Sequence, residues 1–284
     1  MIEGFIIHFL IILCLGIISA LAFNLIAGYT GQLNLGFIAL FSLGAYVSAI
    51  LTVKVGLPIY MAIFFACLFT ALVSLIIGLP TNKVKKEYFH LASLGFIFIL
   101  GGLARNLISL TDGALGIKGI PRIINDNFYF LILILSVTLI VFLIFWLITS
   151  SHLGRIFQGI RDDELALQTL GYDTYKYKIL AFIISGFFAG LSGALWAHYV
   201  TFIDPNIFNL SDAILLLAII ILGGLASIKG TIIGTVIIYL IPQLLKLIGL
   251  PDAIIGPLRE MTFALILIII LIYKPKGIFG KVDL

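Results

Sequence analysis

Apolar residues run along this chain in long blocks, and short polar breaks separate them. The blocks fall at about 4–27, 35–53, 58–79, 89–107, 128–149, 177–199, 212–226, 231–249 and 261–273. A helix needs about 20 apolar residues to cross the hydrocarbon of a bilayer, so the pattern predicts eight or nine crossings. The seventh and ninth blocks are short for a full crossing and read as tilted, broken or re-entrant. Gly56-Leu57-Pro58, Gly78-Leu79-Pro80 and Asp204-Pro205 punctuate the runs.

The pattern changes between Ser150 and Lys178. Ile156, Phe157, Ile160, Leu167 and Leu170 recur at helical spacing on one side, and Arg155, Arg161, Asp162, Asp163 and Glu164 supply the rest. Ser150 or Ser151 can cap the start and Gly171 suits the stop, which predicts one amphipathic helix over 152–171. Such a helix can insert into a groove on a cytoplasmic partner, or it can rest on lipid headgroups. Three consecutive acidic residues facing an anionic leaflet favour the partner.

Composition agrees with the blocks. Of 284 residues, 62% are hydrophobic and 11% charged, and mean hydropathy is +1.25. This is the all-α class of polytopic membrane bundles, 8–10 spans forming one domain over 1–284, with no room for a soluble domain. The start MIEGF carries no basic n-region and no cleavage site follows, so Gly4 to Ala27 reads as a first span. Cys14 and Cys67 lie inside apolar runs as packing residues.

Charge sets the orientation. With the 81–88 loop in the cytoplasm, alternation puts the 150–176 loop, the Ala226–Gly230 turn and the C-terminal segment there too. That side then holds eleven Lys and Arg, and the other keeps six: Lys54, Arg105, Lys118, Arg122, Lys246 and Arg259. This is the asymmetry of the positive-inside rule. The side of the first span stays open, because the Gly-rich 28–36 segment could be re-entrant.

Gln32 and Asn34 sit among Gly28, Gly31 and Gly36 within or beside a span. Unpaired amides are costly in lipid, so they face either a water-filled path or a helix-packing site. Gly28, Gly31, Gly36 and Gly44 are echoed by Gly223, Gly224, Gly230 and Gly234, as in transporters built from repeats with broken helices, although glycines also favour close helix packing. The loop Thr111–Pro121 is polar and glycine-rich, either a connector or a surface that receives a ligand or its carrier.

Catalytic patterns are missing. There is no phosphate-binding G-x-x-x-x-G-K-[ST], no H-E-x-x-H and no G-x-S-x-G, and His8, His90, His152 and His198 are scattered. No basic cluster mixed with aromatics suggests nucleic acid. No Asp or Glu lies mid-span to couple an ion, so the energy for any transport enters from elsewhere, through the 152–171 helix.

GYTGQLNLGFIALFSLGAY, TDGALGIKGIP, GRIFQGIRDDELALQTLGYDTYKYKILAFIISGFFAGLSGAL, LGGLASIKGTIIG and YKPKGIFG closely resemble the permease subunits of bacterial branched-chain amino acid ABC importers, and within them the M-type member of the paired H and M permeases. The resemblance runs from about Gly28 to Gly280. It implies an inner-membrane, pore-forming subunit paired with an H-type permease and two cytoplasmic ATPases, fed by an extracytoplasmic binding protein. ATP would be used by the partners, leaving this chain without a cofactor, metal or catalytic residue of its own. The resemblance implies Arg161, Asp162, Asp163, Glu164, Ala166 and Gly171 as ATPase-coupling residues, which Arg155 joins from the polar side of the helix, and Gly28, Gly31, Gln32 and Gly36 as the translocation path, which Asn34 joins as the second amide among these glycines. Two departures mark the turn after block seven: Ala226 stands where the family often has Gly, and Lys229-Gly230-Thr231 where an apolar or aromatic residue and Gly-Pro are usual. Importers of urea or short amides, or of simple sugars, share the design; an ion-coupled carrier or channel acting alone, and an intramembrane enzyme, are the rival classes.

Overall fold

In the computed structural model the described residues are 2–81, 86–206, 209–247, 252–274 and 276–280. They form a helical bundle: α1 (Ile2–Asn24) running into a π-helical turn (Leu25–Tyr29), α2 (Phe37–Val53), α3 (Ile59–Thr81), α4 (Lys86–Asn106), the short α5 (Ile108–Thr111), α6 (Asn127–Ser150), α7 (His152–Asp162), α8 (Glu164–Thr169), α9 (Thr174–Val200), α10 (Leu210–Gly223), α11 (Ile228–Leu247) and α12 (Asp252–Tyr273). Nine of these helices coincide with the nine apolar blocks. Five are long and apolar enough to cross a membrane: Glu3–Tyr29, Ile59–Pro80, Tyr88–Asn106, Asn127–Ser150 and Thr174–Val200. Phe37–Val53, Leu210–Gly223 and Ile228–Leu244 are shorter apolar helices. The ninth block, short at 261–273, belongs to a longer helix that starts at Asp252. Pro257 falls inside that first stretch, where the sequence pattern is least apolar.

Helix α9 is the spine, and small residues let its neighbours approach. A Cβ added at Gly190 would overlap the Thr70 hydroxyl of α3, one at Gly44 of α2 would overlap the Gly190 backbone, and one at Gly193 would overlap the Phe41 carbonyl. In lipid, where tails are as apolar as Leu, association depends on such close packing and on interhelical hydrogen bonds. Ser74 Oγ donates to the Phe182 carbonyl at 2.6 Å, and Ser185 Oγ to the Ala22 carbonyl at 2.8 Å. Large apolar side chains such as Phe64, Phe98, Leu139 and Leu147 are exposed on the outer faces, as a lipid-facing surface requires.

Contacts fix which ends share a side. His8 of α1 bonds Tyr199 near the end of α9, whereas the other end of α1 meets α7 and the α10–α11 turn. The start of α1 therefore lies at the end of the bundle opposite α7 and α8. Tyr175 bonds the Leu79 carbonyl, which brings the end of α3 to the start of α9. The 150–176 loop, the 226–230 turn and the 276–280 segment gather at this end. At the opposite end lie Lys54, paired with Asp112 at 2.8 Å, and Arg105, bonded to Asn206 at 3.0 Å. Lys83, Lys85 and Lys281 lie outside the described residues, as do the side chains of Lys86, Lys246 and Arg259.

The 111–121 loop is more ordered than a connector. Ile117–Lys118 (β1) pairs antiparallel with Phe202–Ile203 (β2), Ile117 opposite Ile203, a small strand pair in an otherwise helical chain. His198 pins this cap to the bundle: Nδ1 engages the Pro121 carbonyl at 2.7 Å and Nε2 engages Ser48 Oγ at 2.8 Å. A carbonyl only accepts, so the ring carries its proton on Nδ1, and Nε2 accepts from Ser48.

Two stability outcomes are expected. His198→Ala leaves the Ser48 hydroxyl and the Pro121 carbonyl without these partners and costs about 1–3 kcal/mol, read as a lower unfolding midpoint in detergent and faster hydrogen exchange at 117–121. Gly190→Val drives α3 and α2 away from α9 and costs about 1–3 kcal/mol or more; an unchanged midpoint would show that this contact does not hold the bundle.

Candidate functional site

The 28–36 segment is a break in the bundle. Helix α1 widens into the π-turn, Thr30 to Leu35 are non-helical, and α2 begins only at Phe37. Phe41 lies beside Gly193 of α9, so α2 starts roughly 20 Å along the bundle from the start of α9, at 1.5 Å per residue. The irregular stretch thus occupies part of the bundle's thickness, and its backbone groups need internal partners. Gln32 N–H donates to the Ile26 carbonyl at 3.1 Å, and Thr30 Oγ1 to the same carbonyl at 2.6 Å.

Three structures close around the segment. The first is Asn24, which is buried and clamps the α10–α11 turn: Nδ2 donates to Thr231 Oγ1 at 2.7 Å, and Oδ1 accepts from the Ala226 N–H at 3.2 Å. A Cβ at Gly28 would overlap both Asn24 Oδ1 and the Ala226 nitrogen, so only glycine fits. The second is the turn itself. Ala226 holds φ +56°, a left-handed conformation that costs an L-residue roughly 1–2 kcal/mol; this is why glycine suits the position and why Ala226 is a departure with a physical cost. The third is the 276–280 segment, whose Ile278 and Phe279 N–H groups donate to the Leu222 and Gly223 carbonyls at 2.9 Å each. The two glycine-rich segments therefore meet in space at one end of the bundle.

Helix α7 lies against this junction. Ser151 caps it, accepting from Leu153 N–H at 3.2 Å. Arg161 reaches back across the chain: Nη1 donates to the Gly28 carbonyl at 3.0 Å, Nε pairs with Asp162 at 2.8 Å, and its stem lies on Gly31, whose φ is +69°. Tyr29 beside it is buried.

The single helix expected over 152–171 is two helices. The chain breaks at Asp163, in extended conformation, whose carboxylate caps α8 by accepting from Ala166 N–H at 3.0 Å. Adjacent Asp residues favour caps over helix interiors, and Leu167 then folds back over Gly159. The apolar face expected to enter a partner is also turned inward: Ile156, Phe157 and Ile160 are buried in this chain. What faces outward is Arg155, Asp162, Asp163, Leu165, Ala166, Leu170 and Gly171, with Leu165 73% and Leu170 74% exposed. Gly171, at φ +86°, ends α8. Glu164 is engaged within the chain, accepting from Lys178 at 2.5 Å and from Thr174 Oγ1 at 2.9 Å, which ties α8 to the start of α9. Asp173 caps α9, and its hydrogen bonds from the Lys176 side chain and N–H hold its carboxyl below the usual range.

Gln32 is 7% exposed, and among the described residues neither its Oε1 nor its Nε2 has a hydrogen-bond partner. Asn34 is buried beside Gly36, and a Cβ at Gly36 would press on the Ser93 carbonyl of α4. Sequence reasoning missed Asn24 and Tyr29. The signal for Asn24 was present as the one amide in the apolar run 4–27.

Comparison with known proteins bears on this geometry. The model of the family "Branched-chain amino acid transport system / permease component" matches residues 5–273. The high-affinity branched-chain amino acid transport system permease protein LivM of Salmonella typhimurium is 27% identical, over 92% of this chain and 67% of that protein, and LivM of Escherichia coli matches with the same figures. The autoinducer 2 import system permease protein LsrC of Yersinia pseudotuberculosis is 27% identical over 70% of this chain and 60% of its own length. No solved structure matches. With nearly all of its helices inside the matched region, the chain belongs to the family of branched-chain amino acid transport system permease components: it is a multi-pass membrane subunit of an ABC-type importer, a transport component and not an enzyme.

Proposed function

We propose that this permease imports branched-chain, aliphatic amino acids. In this reading it pairs with a related H-type permease, two cytoplasmic ATPases and an extracytoplasmic binding protein, and α7–α8 is the element the ATPases move. The LivM relatives support the substrate class. The LsrC relatives, at similar identity, make an autoinducer-2-like sugar the second reading.

The bond from Arg161 Nη1 to the Gly28 carbonyl carries the mechanism. Arg161 stands at the end of α7, and Gly28 at the point where α1 loses its regular ladder. A shift of α7 therefore pulls on the backbone of the only break that leads to Gln32 and Asn34 among the described residues. Arg161, Asp162, Asp163 and Glu164 act in two ways. Arg161 grips the path segment, while Asp163 and Glu164 shape α8 so that Leu165, Ala166 and Leu170 face the ATPase, with Arg155 and Asp162 at the rim. Gly28, Gly31 and Gly36 let the chain fold closely enough for that grip. Gln32, without a partner in this arrangement, gains one when the segment shifts, which biases the alternation between states. Coupling of this kind is worth about 1–3 kcal/mol, or roughly 5- to 150-fold.

Two outcomes follow. Arg161→Met keeps the stem on Gly31 and removes the bond; in proteoliposomes containing the full complex it lowers ATP-driven leucine uptake by tenfold or more while the ATPases still co-purify. Leu165→Asp combined with Leu170→Asp instead strips the ATPases from the purified complex and leaves this chain folded. Uptake of a sugar in place of leucine by the wild-type complex would decide for the second reading.

A further inference from the structure

Asn24 ends α1 and is 1% exposed, and its amide is engaged at both atoms. The Ala226 N–H can only donate, so the atom facing it at 3.2 Å is Oδ1. That leaves Nδ2 to donate to Thr231 Oγ1 at 2.7 Å and to the Ser227 carbonyl at 3.4 Å. The Thr231 hydroxyl gives its own proton to the Ser227 carbonyl at 2.9 Å and therefore accepts from Asn24. The place calls for a donor and an acceptor side by side. A carboxylate would set an oxygen against the Ser227 carbonyl, and an apolar side chain would leave the Ala226 N–H without this partner.

Ala226 and Thr231 are also positions at which this turn departs from the family's usual residues. A proline at 231 has no hydroxyl to accept the Nδ2 bond, so that bond depends on the residue this chain carries.

The contacts continue on both sides of Asn24. Gly28 fits against Asn24 Oδ1 and the Ala226 nitrogen, while its carbonyl accepts from Arg161 of α7 at 3.0 Å. The turn leads into α11, and at Gly224 it lies against the backbone of Gly280. Contact is therefore unbroken from α7 through Gly28 and Asn24 to the α10–α11 turn and the 276–280 segment. Elsewhere the same groups of helices are parted: a cavity of about 380 Å³, lined from Ser19 and Ile38 to Trp196 and Gly256, separates α10–α12 from α1, α2 and α9 along part of their length.

We propose that Asn24 is a positioning residue for transport, the joint that makes the α10–α11 turn, and with it α10–α12, follow a shift of α7. This rests on the reading of α7–α8 as the element the ATPases move. It adds where that movement goes after Gly28: into the helices beyond the cavity, through one amide. The physical warrant is a contiguous set of bonds that a displacement of either end must break or carry along.

The test uses the complete complex in proteoliposomes and reads leucine moved per ATP hydrolysed, with the unfolding midpoint measured in parallel. Asn24→Leu removes the amide at similar volume and is expected to lower that ratio by about fivefold or more. Thr231→Val keeps the shape of the side chain and the Ala226 N–H, and is expected to lower the ratio too. The double variant is expected to be no worse than Asn24→Leu, because two partners in one bond are not additive. Ser185→Ala is the structural control: it deletes another buried bond to α1, from Ser185 Oγ to the Ala22 carbonyl, and is expected to lower the midpoint with the ratio unchanged. If Asn24→Leu yields no folded complex, Thr231→Val carries the test alone. An unchanged ratio in the folded variants would overturn the joint, as would additive losses in the double variant or an equal loss in Ser185→Ala. With Arg161→Met still lowering uptake, that result leaves the α7–α8 reading standing. A normal ratio in Arg161→Met beside a lowered one in Asn24→Leu would instead overturn the α7–α8 reading and the joint's link to it.

Discussion

A bilayer offers no water to a stray N–H or carbonyl, and the rest of this structure depends on that constraint. Most of the chain meets it with helices, whose backbones satisfy themselves. The stretch from Thr30 to Leu35 cannot, and the molecule is organised around giving it internal partners. Ile26 lends its carbonyl twice, Arg161 takes the carbonyl of Gly28, and Asn24 fastens the neighbouring turn. Irregular backbone at membrane depth is tolerated only where protein or a water-filled cavity surrounds it, and here protein groups supply the partners.

The two ends of the bundle follow different designs. One end is capped by a strand pair and by His198, which bonds on both sides of its ring and fixes the cap to α2 and α9. The other end gathers four chain segments around Gly28 through single hydrogen bonds and glycine contacts. The first design resists movement. The second is joined by the Asn24 and Arg161 side chains reaching backbone groups of other segments and by close approaches at glycines.

Much of this was legible in the sequence, and what was not has physical reasons. The nine apolar blocks became nine helices, and the glycines of 28–36 marked a real break. The acidic run 162–164 suggested a polar helical face; in the structure Asp163 ends one helix and caps the next, because Asp competes with the helix for backbone N–H groups. Ile156, Phe157 and Ile160 formed a genuine apolar stripe, but periodicity cannot tell whether a stripe meets its own chain or another, and here it meets its own. The pairing of Glu164 with Lys178 and the reach of Arg161 to Gly28 join residues far apart in sequence, where no local pattern carries a signal. The family resemblance singled out the 152–171 segment, and the structure shows which of its residues are held within this chain and which face outward.

The bonds from Ile278 and Phe279 to the end of α10 bear on how the protein is made. Helix α10 finishes with the Leu222 and Gly223 carbonyls unpaired within the helix, as every helix end does, and the segment that receives them emerges from the ribosome only after α11 and α12. During synthesis those carbonyls must stay at the membrane surface, in water. The junction around Gly28 is therefore completed last, after the apolar helices are in place, so that a chain stalled or misinserted earlier lacks it.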